Sequence, residues 1–263
     1  MIMTLLLPFA FVTLLWFFST GAILWLNRLP RETHPGAITA ATPLAGAAVC
    51  ALIVSFGETG PAAAYLAFTA ALVIWGWHEM SFLMGFVNGP RRAPLPAGLT
   101  GWRRFRASAA TVIHHEIALA ATLLAIIALG WGQPNQVGTY TFALLFALRL
   151  SAKLNIFLGV ANLSDEMMPD HLAYLKSHFR VARMNPLFPL SILGSTALAY
   201  WLYEAAADGA DSGFALLFAL TVLGIVEHGF MMLPLRDSAL WHWAMRPARS
   251  TDENESRGVR DGL

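Results

Sequence analysis

Long apolar stretches, separated by short polar breaks, dominate the pattern of this chain. Seven of them reach the length of about 20 mainly apolar residues that a helix needs to cross a hydrocarbon core of about 30 Å. The stretches are continuous and do not alternate between apolar and polar positions, which favours helices over a membrane barrel. They predict an all-α polytopic membrane protein with seven transmembrane helices. We place the helices near residues 4–26, 37–56, 62–87, 107–131, 137–162, 187–207 and 211–233.

Composition agrees with a membrane protein. The 263 residues are 57% hydrophobic and 13% charged, whereas a soluble domain carries roughly 25% charge. The net charge of +1 gives no reason to expect nucleic-acid binding. A single cysteine, Cys50, excludes an internal disulfide and a multi-cysteine zinc site. We expect residues 1–245 to form one transmembrane domain and the polar residues 246–263 to form a disordered cytoplasmic tail.

Basic residues concentrate on one side of the predicted spans. The connections after spans one, three and five and the C-terminal tail hold 2, 5, 3 and 5 of the 17 Lys and Arg residues. The N-terminus and the other connections hold none, and the last two basic residues lie inside span five. Because basic loops stay in the cytoplasm, this pattern predicts a periplasmic N-terminus and a cytoplasmic C-terminus.

Five charged residues lie inside the predicted spans, where each needs a partner or a purpose. At 1.5 Å per residue from the predicted cytoplasmic ends, Glu79, Glu116 and Lys153 lie about 13 to 14 Å deep. Glu227 lies about 10 Å deep by the same measure. Four helices therefore carry ionisable groups into one layer. Arg149 lies one turn from Lys153, so each of these two cations is placed to neutralise one carboxylate.

Three interpretations of this polar layer remain open. The first is an interhelical network that fixes helix packing. The second is a ligand or pigment site, in which a histidine ligates the magnesium of a chlorophyll-type ring. The third is a metal-dependent oxidoreductase acting on a lipid, carotenoid or tetrapyrrole. Its metal-ligand candidates are Glu79, His115, Glu116, Glu227 and His228. The histidine spacings match neither the histidine boxes of membrane desaturases nor the Glu-x-x-His motif of di-iron bundles.

Two cytoplasmic connections carry further polar residues. After span five, the residues that follow Asp170 predict a short interfacial helix. The alternative is a lid over the polar layer that contributes Glu166 or His178. After span three, the basic segment from Arg91 to Arg106 either only determines topology or also docks an anionic partner or lipid headgroups.

Polar strings at membrane depth carry a family resemblance. The main ones are residues 18–24, 75–79, 115–116, 149–155, 177–180 and 227–228. Through these strings, and over nearly the whole length from Trp16 to Met245, the chain resembles the PuhE family of bacterial photosynthetic-complex assembly proteins. The resemblance implies a multi-pass protein of the bacterial inner, intracytoplasmic photosynthetic membrane. It also implies a role in assembling reaction-centre and light-harvesting complexes and in adjusting bacteriochlorophyll synthesis.

The resemblance and the polar layer together give a working hypothesis, a membrane assembly or pigment-handling factor. The layer would hold bacteriochlorophyll or a precursor, with His115 or His228 at the magnesium and Lys153 or Arg149 near a propionate. The expected partners are membrane lipids, reaction-centre or light-harvesting subunits, and bacteriochlorophyll biosynthesis enzymes. The candidate binding residues are Glu79, His115, Glu116, Arg149, Lys153, Asn155, Glu166, His178, Glu227 and His228.

Overall fold

The computed structural model describes residues 2–163, 165–209, 211–233 and 237–245. All regular secondary-structure elements in these ranges are helices. The helices are α1 (Ile2–Arg28), α2 (His34–Phe56), α3 (Pro61–Leu83), α4 (Gly101–Ala109), α5 (Ile113–Leu129), α6 (Val137–Leu158), α7 (Leu187–Gly209), α8 (Ser212–Phe230) and α9 (His242–Met245). Short 3-10 helices cover Arg31–Thr33, Asp165–Met167, Asp170–His178 and Asp237–Trp241. Extended pairing in the same ranges is limited to one parallel bridge between Val160 and Val181. The all-helical prediction is confirmed, and the predicted tail over 246–263 lies outside the described residues.

Among the described residues, five helices are long and apolar enough to cross a membrane, namely α1, α2, α3, α6 and α8. A sixth span results if α4 and α5, which are bent by 68° at their junction, are counted as one. Helix α7 covers the predicted sixth stretch with 23 residues, but it is not among the helices that meet this description. The described part of the chain therefore has five to six candidate spans, which is consistent with a multi-pass membrane protein but does not confirm the predicted seven.

The continuous helix predicted over 107–131 is wrong, because the chain leaves the helix at residues 110–112. Two hydrogen bonds accompany the break. The carbonyl oxygen of Ala110 accepts from the backbone N–H of Arg91 at 3.1 Å. The hydroxyl of Thr111 donates to the carbonyl oxygen of Ser108 at 2.6 Å. Both bonds occupy backbone carbonyls that a continuous helix would use.

Two other predicted spans end earlier than expected, α3 at Leu83 and α6 at Leu158. Glu79 and Lys153 therefore lie about 6 and 8 Å from the ends of their helices and not 13 to 14 Å as predicted. A glycine with positive φ follows each of these helices, Gly85 at +85° and Gly159 at +126°. Glycine enters this region without the steric penalty of a Cβ atom, so it ends a helix easily. At Gly159 a Cβ atom would also collide with the side chain of Ala182, which fixes a close approach between these two segments.

Helix α3 is the central helix of the bundle. One of its faces packs with α2, α5 and α6 around Phe56, Leu119 and Phe142. Another face packs with α1, α6, α7 and α8 around Val12 and Leu216. Small residues let the neighbouring helices approach closely; those buried on α3 are Ala63, Ala64, Ala67, Ala70 and Ala71. Because α3 has partners on both sides, polar residues near its C-terminal end lie inside the bundle.

The described residues of 84–112 and 159–186 fold over one end of the bundle, and we call them the cap. The apolar centre of the cap includes Leu172 and Leu175 and packs on Phe82. Arg104 of α4 fastens it, since its Nη2 donates to the carbonyl oxygens of Phe157 and His178, both at 2.9 Å. The same guanidinium lies 4.0 Å from the centroid of the Phe157 ring. The cap is therefore held firmly to the C-terminal end of α6.

Candidate functional site

Five of the predicted residues meet between α3, α5 and α6, and we call them the charged cluster: Glu79, His115, Glu116, Arg149 and Lys153. Nη2 of Arg149 donates to Oε2 of Glu79 at 3.2 Å. Nζ of Lys153 donates to Oε1 of Glu116 at 2.5 Å. Each carboxylate is thus matched with one cation, which is the arrangement that charges inside a membrane bundle require.

The charged cluster is not sealed on all sides. The side chain of Arg149 is 43% exposed, whereas those of Glu79 and Lys153 are 11% and 20% exposed. A guanidinium carries five N–H donors, and the bond to Glu79 uses one of them. The remaining donors of this exposed side chain are available to a further partner. Arg149 therefore marks the accessible side of the charged cluster.

His115 occupies the closed side of the charged cluster. It is completely buried, and neither of its ring nitrogens has a hydrogen-bond partner among the described residues. Its Nε2 lies 3.7 Å from Oε1 of Glu79, which also lacks a hydrogen bond. The imidazole packs against the Phe82 ring with 4.7 Å between centroids. Leaving such buried groups unbonded costs about 1 to 3 kcal/mol each, so their retention calls for an explanation beyond packing.

A second group of polar residues joins α6, α7 and α8, and we call it the serine–histidine network: Ser151, Asn155, Ser191 and His228. Nδ1 of His228 donates to the carbonyl oxygen of Gly224 at 2.8 Å. Its Nε2 is therefore the acceptor for the Ser151 hydroxyl at 3.0 Å. Nδ2 of Asn155 donates to the Ser191 hydroxyl at 3.0 Å. The structure thus gives Asn155 and His228 hydroxyl partners and separates their bonds from those of the charged cluster.

Glu227 has a third set of partners. Its Oε1 accepts a hydrogen bond from Nε1 of Trp16 at 2.7 Å. This bond joins α8 to α1, two helices that are 211 residues apart in sequence at these positions. Trp16 in turn packs edge-on against Trp241, with 5.0 Å between centroids. Glu227 therefore helps to attach α1 to the bundle.

His178 and Glu166 both lie in the second segment of the cap. Nε2 of His178 donates to the carbonyl oxygen of Ala93 at 3.2 Å, and Nδ1 accepts from the Ser108 hydroxyl at 3.0 Å. Burial lowers the pKa of His178 below its usual range, and the nearby Arg91 and Arg104 act in the same direction. The backbone carbonyl of Glu166 accepts from Arg28 at 2.9 Å. His178 thus ties together the two segments of the cap.

The metal-ligand candidates divide among these separate sets of partners. Within the part of the chain that the structure describes, no three His, Cys, Asp or Glu side chains are arranged to hold a metal ion. Glu79 contacts His115, but Glu116 is bonded to Lys153. The remaining two candidates, on α8, are bonded to Trp16 and Ser151.

Sequence reasoning missed Ser151, Ser191 and Trp16 as partners of the predicted residues. Ser151 had a usable signal, because a hydroxyl one helical turn before the buried Asn155 lies on the same face of α6. Ser191 and Trp16 had none, since each reaches its partner across helices whose neighbours the sequence does not state. Ser191 is 36 residues from Asn155, and Trp16 is 211 residues from Glu227. Only the packing of the bundle brings the members of each pair together.

A cavity of about 490 Å³ lies among the connections that precede α3, α6 and α8. Gly60, Asn135 and Asp211 are among its lining residues. Asn135 and Asp211 use side-chain oxygens on backbone N–H groups at the starts of α6 and α8. None of the predicted site residues lines this cavity, so it is separate from the charged cluster.

Comparison with known proteins covers almost the whole chain. A family model described as a protein of unknown function, DUF3623, matches residues 2–252. A Rhodobacter capsulatus protein, described as an uncharacterized 30.4 kDa protein in the puhA 5' region, is 43% identical over 252 residues. The match spans 93% of this chain and 92% of that protein. No solved structure matches the chain.

Proposed function

This chain belongs to the DUF3623 family, and from that premise we propose that it is an integral membrane factor for assembly of the bacterial photosynthetic apparatus. The location of its Rhodobacter capsulatus relative in the puhA region suggests a photosynthesis-related role. The resemblance of its polar strings to PuhE-type assembly proteins supports the same role. In this proposal the protein lies in the photosynthetic inner membrane, contacts reaction-centre or light-harvesting subunits and bacteriochlorophyll biosynthesis enzymes, and modulates or handles bacteriochlorophyll.

One observation carries the pigment-handling part of the proposal: unbonded buried atoms and an open cation occur in the same cluster. A magnesium tetrapyrrole offers a metal that accepts a neutral imidazole nitrogen and carboxylates that accept from a guanidinium. His115 has both ring nitrogens without hydrogen bonds, and Arg149 has spare donors on an exposed side chain. His228 fits less well, because both of its nitrogens are already bonded.

The residues of the charged cluster then divide the work. His115 would hold the magnesium through a ring nitrogen, and the Phe82 ring that packs against the imidazole would have to move to admit a macrocycle. Arg149 would bind a propionate through its other N–H donors and keep its bond to Glu79. Lys153 and Glu116 neutralise each other and hold α5 against α6. Bound pigment would supply only a coordination site and carboxylates in this arrangement.

Absorption spectroscopy of the gently purified protein tests pigment handling. We expect the wild-type chain from pigment-replete cells to carry tetrapyrrole absorption and His115→Leu to lose it. Ser151→Ala is the matched control, because it alters the serine–histidine network and leaves the charged cluster intact. Wild-type protein that carries no tetrapyrrole would contradict pigment handling without affecting the assembly role.

A photosynthetic strain that lacks the Rhodobacter capsulatus relative tests the assembly role. We expect the membranes of this strain to show reduced reaction-centre or light-harvesting absorbance. Expression of this chain should restore the absorbance, whereas Arg149→Gln should restore it poorly at an equal protein level on immunoblots. Unchanged complexes in the deletion strain would count against the proposal.

The proposed topology has seven spans in one domain of residues 1–245, with a periplasmic N-terminus and a cytoplasmic C-terminus. It counts α7 as a span and is supported by the one-sided distribution of basic residues. Single cysteines at Thr59, Arg183 and Asp208 in a Cys50→Ser background test it. A membrane-impermeant maleimide added from the periplasm should label positions 59 and 208 but not 183. Equal labelling at both ends of α7 would contradict the seven-span arrangement.

A further inference from the structure

Helix α4 differs from the membrane-length helices in both direction and composition. It spans nine residues, Gly101–Ala109, and is bent by 68° away from α5. Because α5 is an apolar helix that belongs to a candidate span, α4 lies closer to the membrane plane than to the membrane normal. Short helices that lie in this plane with an aromatic and basic surface are a known way of contacting lipid headgroups.

The residues of α4 divide into two faces. At 100° per residue, Trp102, Arg103 and Arg106 fall within about 100° of one another. All three are exposed, and Trp102 is 69% exposed. Arg104 lies on the opposite face, where its bonds to Phe157 and His178 hold α4 to the cap. The position of Arg104 therefore fixes Trp102, Arg103 and Arg106 on the outer surface, and we call these three residues the α4 face.

Basic residues predominate around the α4 face. Residues 84–112, the segment that contains α4, hold five arginines and no Asp or Glu. Residues 159–186, the other segment of the cap, hold three basic residues and three acidic ones, and all three acidic residues precede His171. No carboxylate therefore lies on the chain segment that carries Arg103 and Arg106. Such a surface complements the negative potential of a leaflet rich in anionic lipid.

We propose that the α4 face is a binding site for the headgroups of anionic phospholipids in the leaflet next to the cap. The Trp102 ring lies at headgroup depth, where indole rings are favoured. The two guanidinium groups bind lipid phosphate through paired N–H donors. This site is independent of pigment handling, because it uses no residue of the charged cluster. Lipid bound here also holds the cap against the membrane surface through Arg104.

Native mass spectrometry of the full chain with added lipid tests the site. We expect the wild-type chain to bind phosphatidylglycerol more tightly than phosphatidylcholine. Removing two cations in Arg103→Gln/Arg106→Gln should weaken phosphatidylglycerol binding by about 30-fold. The control is Arg31→Gln, which removes an exposed arginine outside the cap and should leave binding unchanged. Arg103→Lys/Arg106→Lys should retain most of the affinity.

Several results would overturn the proposal. They are equal binding of the two lipids by the wild-type chain, or an equal loss of affinity in the control variant. If the glutamine variant does not fold, quenching by brominated phosphatidylglycerol in liposomes decides the matter. We expect it to quench wild-type fluorescence more than that of Trp102→Phe, and equal quenching would place the α4 face away from lipid. If the α4 face bound an acidic protein segment and showed no preference between the two lipids, its partner would be a protein and the lipid proposal would be wrong.

Discussion

The charged cluster and the serine–histidine network share α6 but differ in how completely their polar atoms are bonded. In the network, both nitrogens of His228 are bonded, and the Ser191 hydroxyl is bonded to Asn155. One atom, Oδ1 of Asn155, is left without a partner. In the charged cluster the two ion pairs are formed, but both nitrogens of His115 and Oε1 of Glu79 have no hydrogen bond.

This difference separates a group that stabilises the fold from a group that the fold tolerates. A buried polar group that finds its partners contributes about 0.5 to 1.5 kcal/mol per hydrogen bond, whereas an unbonded one destabilises. Unbonded groups are retained where another use offsets the lost stability. The serine–histidine network therefore serves packing, and His115 is the residue at which stability and function should respond in opposite directions.

The largest expected effect comes from breaking one ion pair of the charged cluster. Glu116→Gln leaves the Lys153 ammonium unpaired, and we expect it to lower the free energy of unfolding by about 3 kcal/mol. The double variant Glu116→Leu/Lys153→Met removes both charges and should recover most of that loss. Thermal unfolding in detergent measures both. A double variant as unstable as the single one would show that the pair contributes more than mutual neutralisation.

Breaking the serine–histidine network should have a smaller effect. Ser151→Ala leaves Nε2 of His228 without its donor, and we expect a loss of about 1 to 2 kcal/mol. Ser19→Ala is the control, because that hydroxyl donates only to a carbonyl of its own helix at Trp16 and should change stability by about 0.5 kcal/mol or less. Loss of bound tetrapyrrole in Ser151→Ala would show that the serine–histidine network also takes part in pigment handling, contrary to the distinction drawn from the charged cluster.

His115→Leu should raise the stability of the chain, whereas the two preceding variants should lower it. The leucine replaces an unbonded buried polar group by an apolar one, and we expect the chain to gain about 1 kcal/mol of stability. The same variant should fail to restore photosynthetic complexes in the deletion strain. Unfolding curves and membrane absorbance, measured on the same preparations, check the two halves of this prediction. A destabilised His115→Leu protein would assign His115 to packing.

The smallest expected effect is a pH dependence in the cap. Burial lowers the pKa of His178 in the folded chain, so below about pH 6.5 the unfolded chain binds the extra proton more readily. The stability that neutral His178 contributes is present above that pH and is lost as the pH falls toward the folded pKa. His178→Gln should therefore show a smaller drop in melting temperature between pH 7.5 and pH 5 than the wild-type chain. Equal drops would mean that other groups cause the acid sensitivity.

Most helices could be predicted from the sequence because length and apolarity are local properties. The break at residues 110–112 could not, because one of the hydrogen bonds that accompany it comes from Arg91, which is 19 residues away from its acceptor Ala110. The sequence could not predict that Arg149 pairs with Glu79, for a similar reason. Depth along a helix follows from residue number, but the direction a side chain faces also depends on how each helix is rotated and which helix lies beside it.

The sequence by itself determined the class of the protein and its apolar helices, and it predicted a shared depth for the charged residues. These follow from hydrophobic length and from the rise of a helix, and neither property needs a neighbouring segment. Only the tertiary structure decided that His115 lies unbonded beside Glu79 while His228 is fully bonded to Ser151 and Gly224. Two buried histidines look alike in the chain, and the hydrogen-bond partners that distinguish them come from other helices and from backbone carbonyls that only the folded bundle brings within reach.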